Sequence, residues 1–123
     1  MRSIMMVGIG SAPGSLSRYG IVLMGKIFQW QLPGIPTFIA NIIGCFLFGI
    51  LITLALKENI IIEEIKLFLS VGFCGGLTTF STFTAENFTY LNQKSNIIFA
   101  LYTAASLFFS LVAPWRGSIC IKN

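Results

Sequence analysis

Of 123 residues, 55% are hydrophobic and only 10% are charged, against roughly 25% charged in an ordinary soluble domain, so too little polar surface remains to cover a water-soluble globule. The net charge is +4, but Arg2, Arg18, Lys26, Lys57, Lys66, Lys94, Arg116 and Lys122 lie scattered near the ends of apolar blocks, where they suit lipid head groups and offer none of the basic stripe that nucleic acid needs. The absence of histidine excludes His-ligated haem, imidazole metal sites and His-based acid–base catalysis, and Cys45, Cys74 and Cys120 show no metal-ligand spacing and read as small buried hydrophobes.

The apolar blocks predict an all-α integral membrane fold of about four transmembrane helices, in a single transmembrane domain covering 1–123. Each block approaches the roughly 20 residues needed to cross a bilayer. The first helix is expected at about 4–28. Gly10 and Gly14 are spaced as GxxxG, which lets another helix approach closely. Pro13 is expected to kink it. The apolar run after Arg2 is too short and too broken by Gly8 and Gly10 for a secretory signal. Trp30 suits an interface anchor.

A Pro33-Gly34-Ile35-Pro36 turn leads into a second helix at about 36–56. Its one strongly polar residue is Asn41, with Thr37 one turn earlier and an Ala40/Gly44 small-residue pair beside it. A short charged connection around Ile60-Ile61-Ile62 follows, and Glu63 and Glu64 favour the N-terminal end of a third helix at about 64–91. Gly72-Phe73-Cys74-Gly75-Gly76 is expected to interrupt that helix, with the break near Gly75–Thr79. The fourth helix is expected at about 96–116. Lys/Arg counts favour the N-terminal side as cytoplasmic only modestly, so insertion in both orientations is physically open.

Three groups carry chemistry. Irregular backbone at bilayer depth is tolerated only where protein buries it or it lines a cavity, and freed carbonyls there can hold a small hard cation. Phe80 and Phe83 are three apart on one expected helical face, and a phenyl ring has a positive edge that can touch an anion. Thr79, Ser81 and Thr82 crowd around them. On the fourth helix Tyr102, Ser106 and Ser110 recur at i, i+4 and i+8 as one stripe of hydrogen-bond donors. Neutral donors and ring edges with few fixed charges suit a dehydrated small anion better than a cation, which recruits carboxylates or dense carbonyls. Glu86 fits awkwardly: an ionised carboxylate cannot donate. Protonation, hydroxyl partners and a place at a pore mouth all stay open for it.

Gly72-Phe73-Cys74-Gly75-Gly76-Leu77-Thr78-Thr79-Phe80-Ser81-Thr82-Phe83, followed by Glu86, closely resembles the signature of the Fluc-type (CrcB-like) fluoride channel family. Pro36-Thr37 through Asn41 to Gly49, Arg18-Tyr19, and Tyr102, Ser106 and Ser110 extend the resemblance along nearly the whole chain. The resemblance implies an antiparallel, dual-topology homodimer with two pores in a bacterial inner (plasma) membrane. It implies passive, selective export of fluoride that entered as HF, dissociated in a less acidic cytoplasm and was trapped. By position it implies a fluoride pore lined by Asn41, Phe80, Phe83, Tyr102, Ser106 and Ser110, with Thr37, Thr79 and Glu86 as further members. It also implies a structural sodium (Na+) at the dimer interface, held by the backbone carbonyls of Gly75 and Thr78. Pro13, Ser17, Pro36 and Cys45 depart from the family pattern without touching the fluoride contacts.

The alternative is a small four-helix multidrug or metabolite exporter, which needs a proton-coupling carboxylate in its first helix, where this chain has no Asp or Glu. A non-transporting assembly subunit explains the small residues but not the donor chemistry shared by two helices. An enzyme is not expected, for no activated nucleophile with a base partner is visible.

Overall fold

The computed structural model describes residues 1–58 and 61–122, and these form helices joined by short turns, with no strand among them. Helix α1 is Arg2–Ile27 and α2 is Ile35–Glu58. The third run, α3, is continuous but changes pitch, from α-helical Glu63–Leu67 through π-helical Phe68–Cys74 to α-helical Gly75–Leu77. After a break, α4 is Ser81–Asn92 and α5 is Asn96–Lys122. The α2–α3 connection predicted around Ile60 lies partly outside the described residues.

Among the described residues, three segments are long and apolar enough to cross a membrane: Ile35–Lys57, Glu63–Asn92 with its break, and Asn96–Lys122. Helix α1 has the length, at 26 residues, but glycines, serines and Pro13 make it less apolar. It runs on through Pro13 as one helix. The fourth helix extends past the expected end at 116 to Lys122, with Pro114 inside it.

The glycines correct one expectation. Gly72 to Gly76 remain helical, with Gly75 at φ −63° and ψ −37°. Their role is close packing. A Cβ on Gly10 would run into the Phe68 carbonyl, and one on Gly14 into the Phe73 carbonyl. From the other side, a Cβ on Gly76 would lie 2.6 Å from the Ser11 carbonyl oxygen. Small residues on both helices thus bring α1 and α3 into backbone contact, where dispersion between backbones takes the place of a hydrophobic drive that lipid cannot supply. The same device joins α2 to α5, through Gly49 against Pro114 and Gly117 against Phe46.

Helices α2 and α5 run in the same direction, because α3 and α4 together carry the chain back across. This places Thr37 level with Tyr102 and Lys57 level with the end of α5. The furrow between α2 and α5, closed on one side by the break, frames the site.

Candidate functional site

The break falls at Thr78–Phe80, and Asn41 makes it. Thr78 adopts an extended conformation, φ −83° and ψ 153°. Its amide still closes the last helical turn on Cys74, at 2.9 Å. The next amide does not follow: Thr79 N–H donates to Asn41 Oδ1 at 2.7 Å, and Asn41 Nδ2 donates to the Thr79 carbonyl at 3.1 Å. One side-chain amide therefore takes both backbone groups of Thr79, as a strand neighbour would. The Gly75 carbonyl loses the Thr79 N–H that a continuing helix would have given it. Helix α4 restarts beyond, with Thr84 N–H donating to the Phe80 carbonyl at 2.9 Å. Gly44 leaves room for the Thr78 methyl group beside α2.

A cavity of about 430 Å³ opens at this break. Asn41 and Cys45 of α2, Gly75, Thr78, Thr79 and Phe80 of the break, Phe83 of α4, and Ser106, Leu107 and Ser110 of α5 line it. No charged side chain among the described residues does. Ser106 is 4% exposed, and its Oγ has no hydrogen-bond partner among the described residues. A buried hydroxyl left unpaired costs about 1–3 kcal/mol, so this one is open to a partner from the cavity. Asn41 has spent one of its two N–H groups on Thr79, leaving the other.

Phe80 and Phe83 lie with ring centroids 5.7 Å apart and planes at 40°. Their surroundings differ more than one helical face would allow: Phe80 stands ahead of α4 and is 74% exposed, while Phe83 is buried. The Thr79 hydroxyl turns sideways to Ser81 at 3.1 Å, within the same short segment.

The expected stripe on α5 divides. Ser106 and Ser110 face the cavity; Tyr102 does not line it. Its hydroxyl donates to Glu86 Oε2 at 2.6 Å, and the Thr37 hydroxyl donates to Glu86 Oε1 at 2.7 Å. Glu86 thus has a hydroxyl on each oxygen, one from α2 and one from α5. The Tyr102 ring sits against Phe83 at 5.4 Å and edge-on to Tyr90 at 5.6 Å. Thr37, Glu86 and Tyr102 therefore form a separate polar clasp that braces Phe83 from behind.

Cys45, Leu107 and Asn87 were not anticipated. Cys45 is one turn beyond Asn41 on the cavity wall, a place that helical spacing alone would have found. Asn87 is buried and accepts from the Thr103 hydroxyl at 3.2 Å, and it stands one turn beyond Phe83.

The sequence profile of the family described as "CrcB-like protein, Camphor Resistance (CrcB)" matches residues 5–118. A protein of Azobacteroides pseudotrichonymphae genomovar. CFP2, described as "Fluoride-specific ion channel FluC", is 36% identical over 97% of this chain and 95% of its own length. Proteins of the same description from Flavobacterium psychrophilum and Chlorobium luteolum are 38% and 40% identical, over 100% and 98% of this chain and 99% and 92% of their own lengths.

Proposed function

The chain belongs to the CrcB-like family, and from that membership we propose that it is a fluoride-selective ion channel, a multi-pass protein of the bacterial plasma membrane through which fluoride leaves the cytoplasm passively. The observation that supports this best is the uncharged cavity at the break, where a buried Ser106 hydroxyl, without a partner among the described residues, shares the lining with Asn41, Phe80 and Phe83. A fluoride ion entering it loses water. The remaining Asn41 N–H, the Ser106 and Ser110 hydroxyls and the two ring edges replace that water with donors. None carries a full positive charge, so the ion is held weakly enough to move on.

Thr37, Glu86 and Tyr102 act at one remove in this reading. The two hydroxyls each occupy one acceptor site on a Glu86 oxygen, and the Tyr102 ring packs against Phe83. Thr79 contributes its backbone to the Asn41 latch.

The working unit is a homodimer of antiparallel copies with two pores. The 74% exposure of Phe80 supports this, since a ring that is to meet an ion in a closed path needs a wall that one chain does not supply. The Gly75 carbonyl, stripped of its helical donor, and the Thr78 carbonyl, swung out by an extended ψ, suit a hard cation. Two copies would offer about four such oxygens to a structural sodium, whose charge would draw the two breaks together.

The test is fluoride efflux from vesicles holding the purified protein, read with a fluoride electrode and with chloride as the control ion. Rapid fluoride release with chloride retained is expected. Retention of both ions, or equal release of both, overturns the proposal.

A further inference from the structure

The donor track of α5 does not end at Ser110. Counting on in fours gives Tyr102, Ser106, Ser110, Pro114, Ser118 and Lys122, and α2 carries a matching row, Thr37, Asn41, Cys45, Gly49, Thr53 and Lys57. Rows of i±4 residues form the ridges and grooves along a helix, and these two rows face the same furrow. The upper pairs clasp Glu86 and line the cavity at the break. Gly49 and Pro114 touch. Below them a second cavity of about 400 Å³ is lined by Thr53, Ser118, Lys57 and Lys122 among apolar neighbours. From Thr37 to Lys57 the row spans about 30 Å, the thickness of the hydrocarbon core.

Both rows thus end in lysine at the same end of the molecule. Lys57 is held there, its Nζ donating to the Ile121 carbonyl at 3.5 Å, which ties α2 to the last turn of α5. No carboxylate among the described residues lines this cavity. The Thr53 hydroxyl is turned back onto the Gly49 carbonyl at 2.8 Å, which leaves the two ammonium groups as the charged members of the lining among the described residues.

We propose that Lys57 and Lys122 form a cationic mouth to the α2–α5 furrow, a weak halide-binding site that gathers fluoride from solution and feeds it toward the uncharged cavity at the break. The site rests on the channel reading. It completes a division of labour: full positive charge stands at the solvent end, where water screens it and an anion can still leave, and neutral donors stand inside. Charged clefts raise the local concentration and the entry rate of an opposite ion, and the effect falls steeply with ionic strength.

The experiment uses the full-length protein in vesicles of neutral phosphatidylcholine and, separately, with anionic phosphatidylglycerol added. Initial fluoride efflux is compared for the unaltered protein, a Lys57→Gln/Lys122→Gln double variant and a Lys57→Arg/Lys122→Arg control, at low salt and at about 1 M of an impermeant salt, where the screening length shrinks to about 3 Å. The Gln variant is expected to lose about three- to tenfold of its initial rate at low salt. That deficit should vanish at high salt, and the Arg control should match the unaltered protein. Unchanged low-salt flux in the Gln variant overturns the proposal while leaving the channel reading intact. A deficit that persists at high salt assigns the lysines to helix packing and overturns it too. A deficit seen only with anionic lipid makes the site one for a phospholipid head group, again overturning it. If the unaltered protein itself releases no fluoride, the channel reading fails and this inference falls with it.

Discussion

Asn41→Ala removes the latch that holds the break. The side chain satisfies Thr79 twice, accepting at 2.7 Å and donating at 3.1 Å, in a partly buried place between α2 and the break. Without it, an N–H and a C=O lose their partners, each at about 1–3 kcal/mol, giving about 2–6 kcal/mol when summed over the pair. The cheapest escape is for Thr79 N–H to return to the Gly75 carbonyl and for α3 to run on as a helix, which swings Phe80 away from Phe83. At tenfold per 1.4 kcal/mol, the open break becomes at least about 30-fold rarer. Fluoride efflux from vesicles should fall by about that factor, and the thermal midpoint in detergent should change little, because the alternative helix is itself well bonded. Asn41→Asp should do as badly at neutral pH. It keeps an acceptor for Thr79 N–H but sets a second oxygen against the Thr79 carbonyl. Wild-type efflux in both variants refutes the latch.

Phe80→Ile should cut fluoride flux about tenfold or more, since an alkyl group lacks the positive ring edge, with folding unchanged because Phe80 is 74% exposed; efflux and size-exclusion profile check this. Ser106→Ala removes a hydroxyl without a protein partner, so thermal stability should hold or rise slightly while flux falls; a clear loss of stability contradicts the assignment. Gly14→Ala drives a methyl group into the Phe73 carbonyl and should destabilise the chain by about 1–3 kcal/mol, seen as a lower thermal midpoint. Single-cysteine labelling in a background lacking Cys45, Cys74 and Cys120 should find each loop accessible from both sides of the membrane, as an antiparallel dimer requires.

Much of this was legible from residue order. Apolar block length pointed to an all-helical fold, since crossing hydrocarbon leaves the backbone no other option, but it did not show that α5 runs on past 116 to Lys122. The cavity members Asn41, Phe80, Phe83, Ser106 and Ser110 stand out as polar or aromatic in apolar surroundings. The cause of the break was not legible. Glycine weakens a helix on average, which pointed to Gly72–Gly76, yet packing against α1 keeps those turns helical, and the chain opens where a side chain 38 residues away in sequence captures Thr79. Such a bond has no periodic signature. The split of the α5 stripe was hidden for the same reason: Tyr102 and Ser106 share a face, but only the placement of Glu86 decides that the phenol is engaged and the hydroxyl free.

In the proposed channel, neutral donors and ring edges, with no charged side chain among the described residues at the break, select a small dehydrated halide. A reversal potential in a planar bilayer, with fluoride on one side and chloride on the other, tests this selection. The current should reverse far from zero, at a voltage that follows the fluoride gradient alone as its concentration is changed. Reversal near zero with equal concentrations, or a voltage that follows chloride, contradicts the claim.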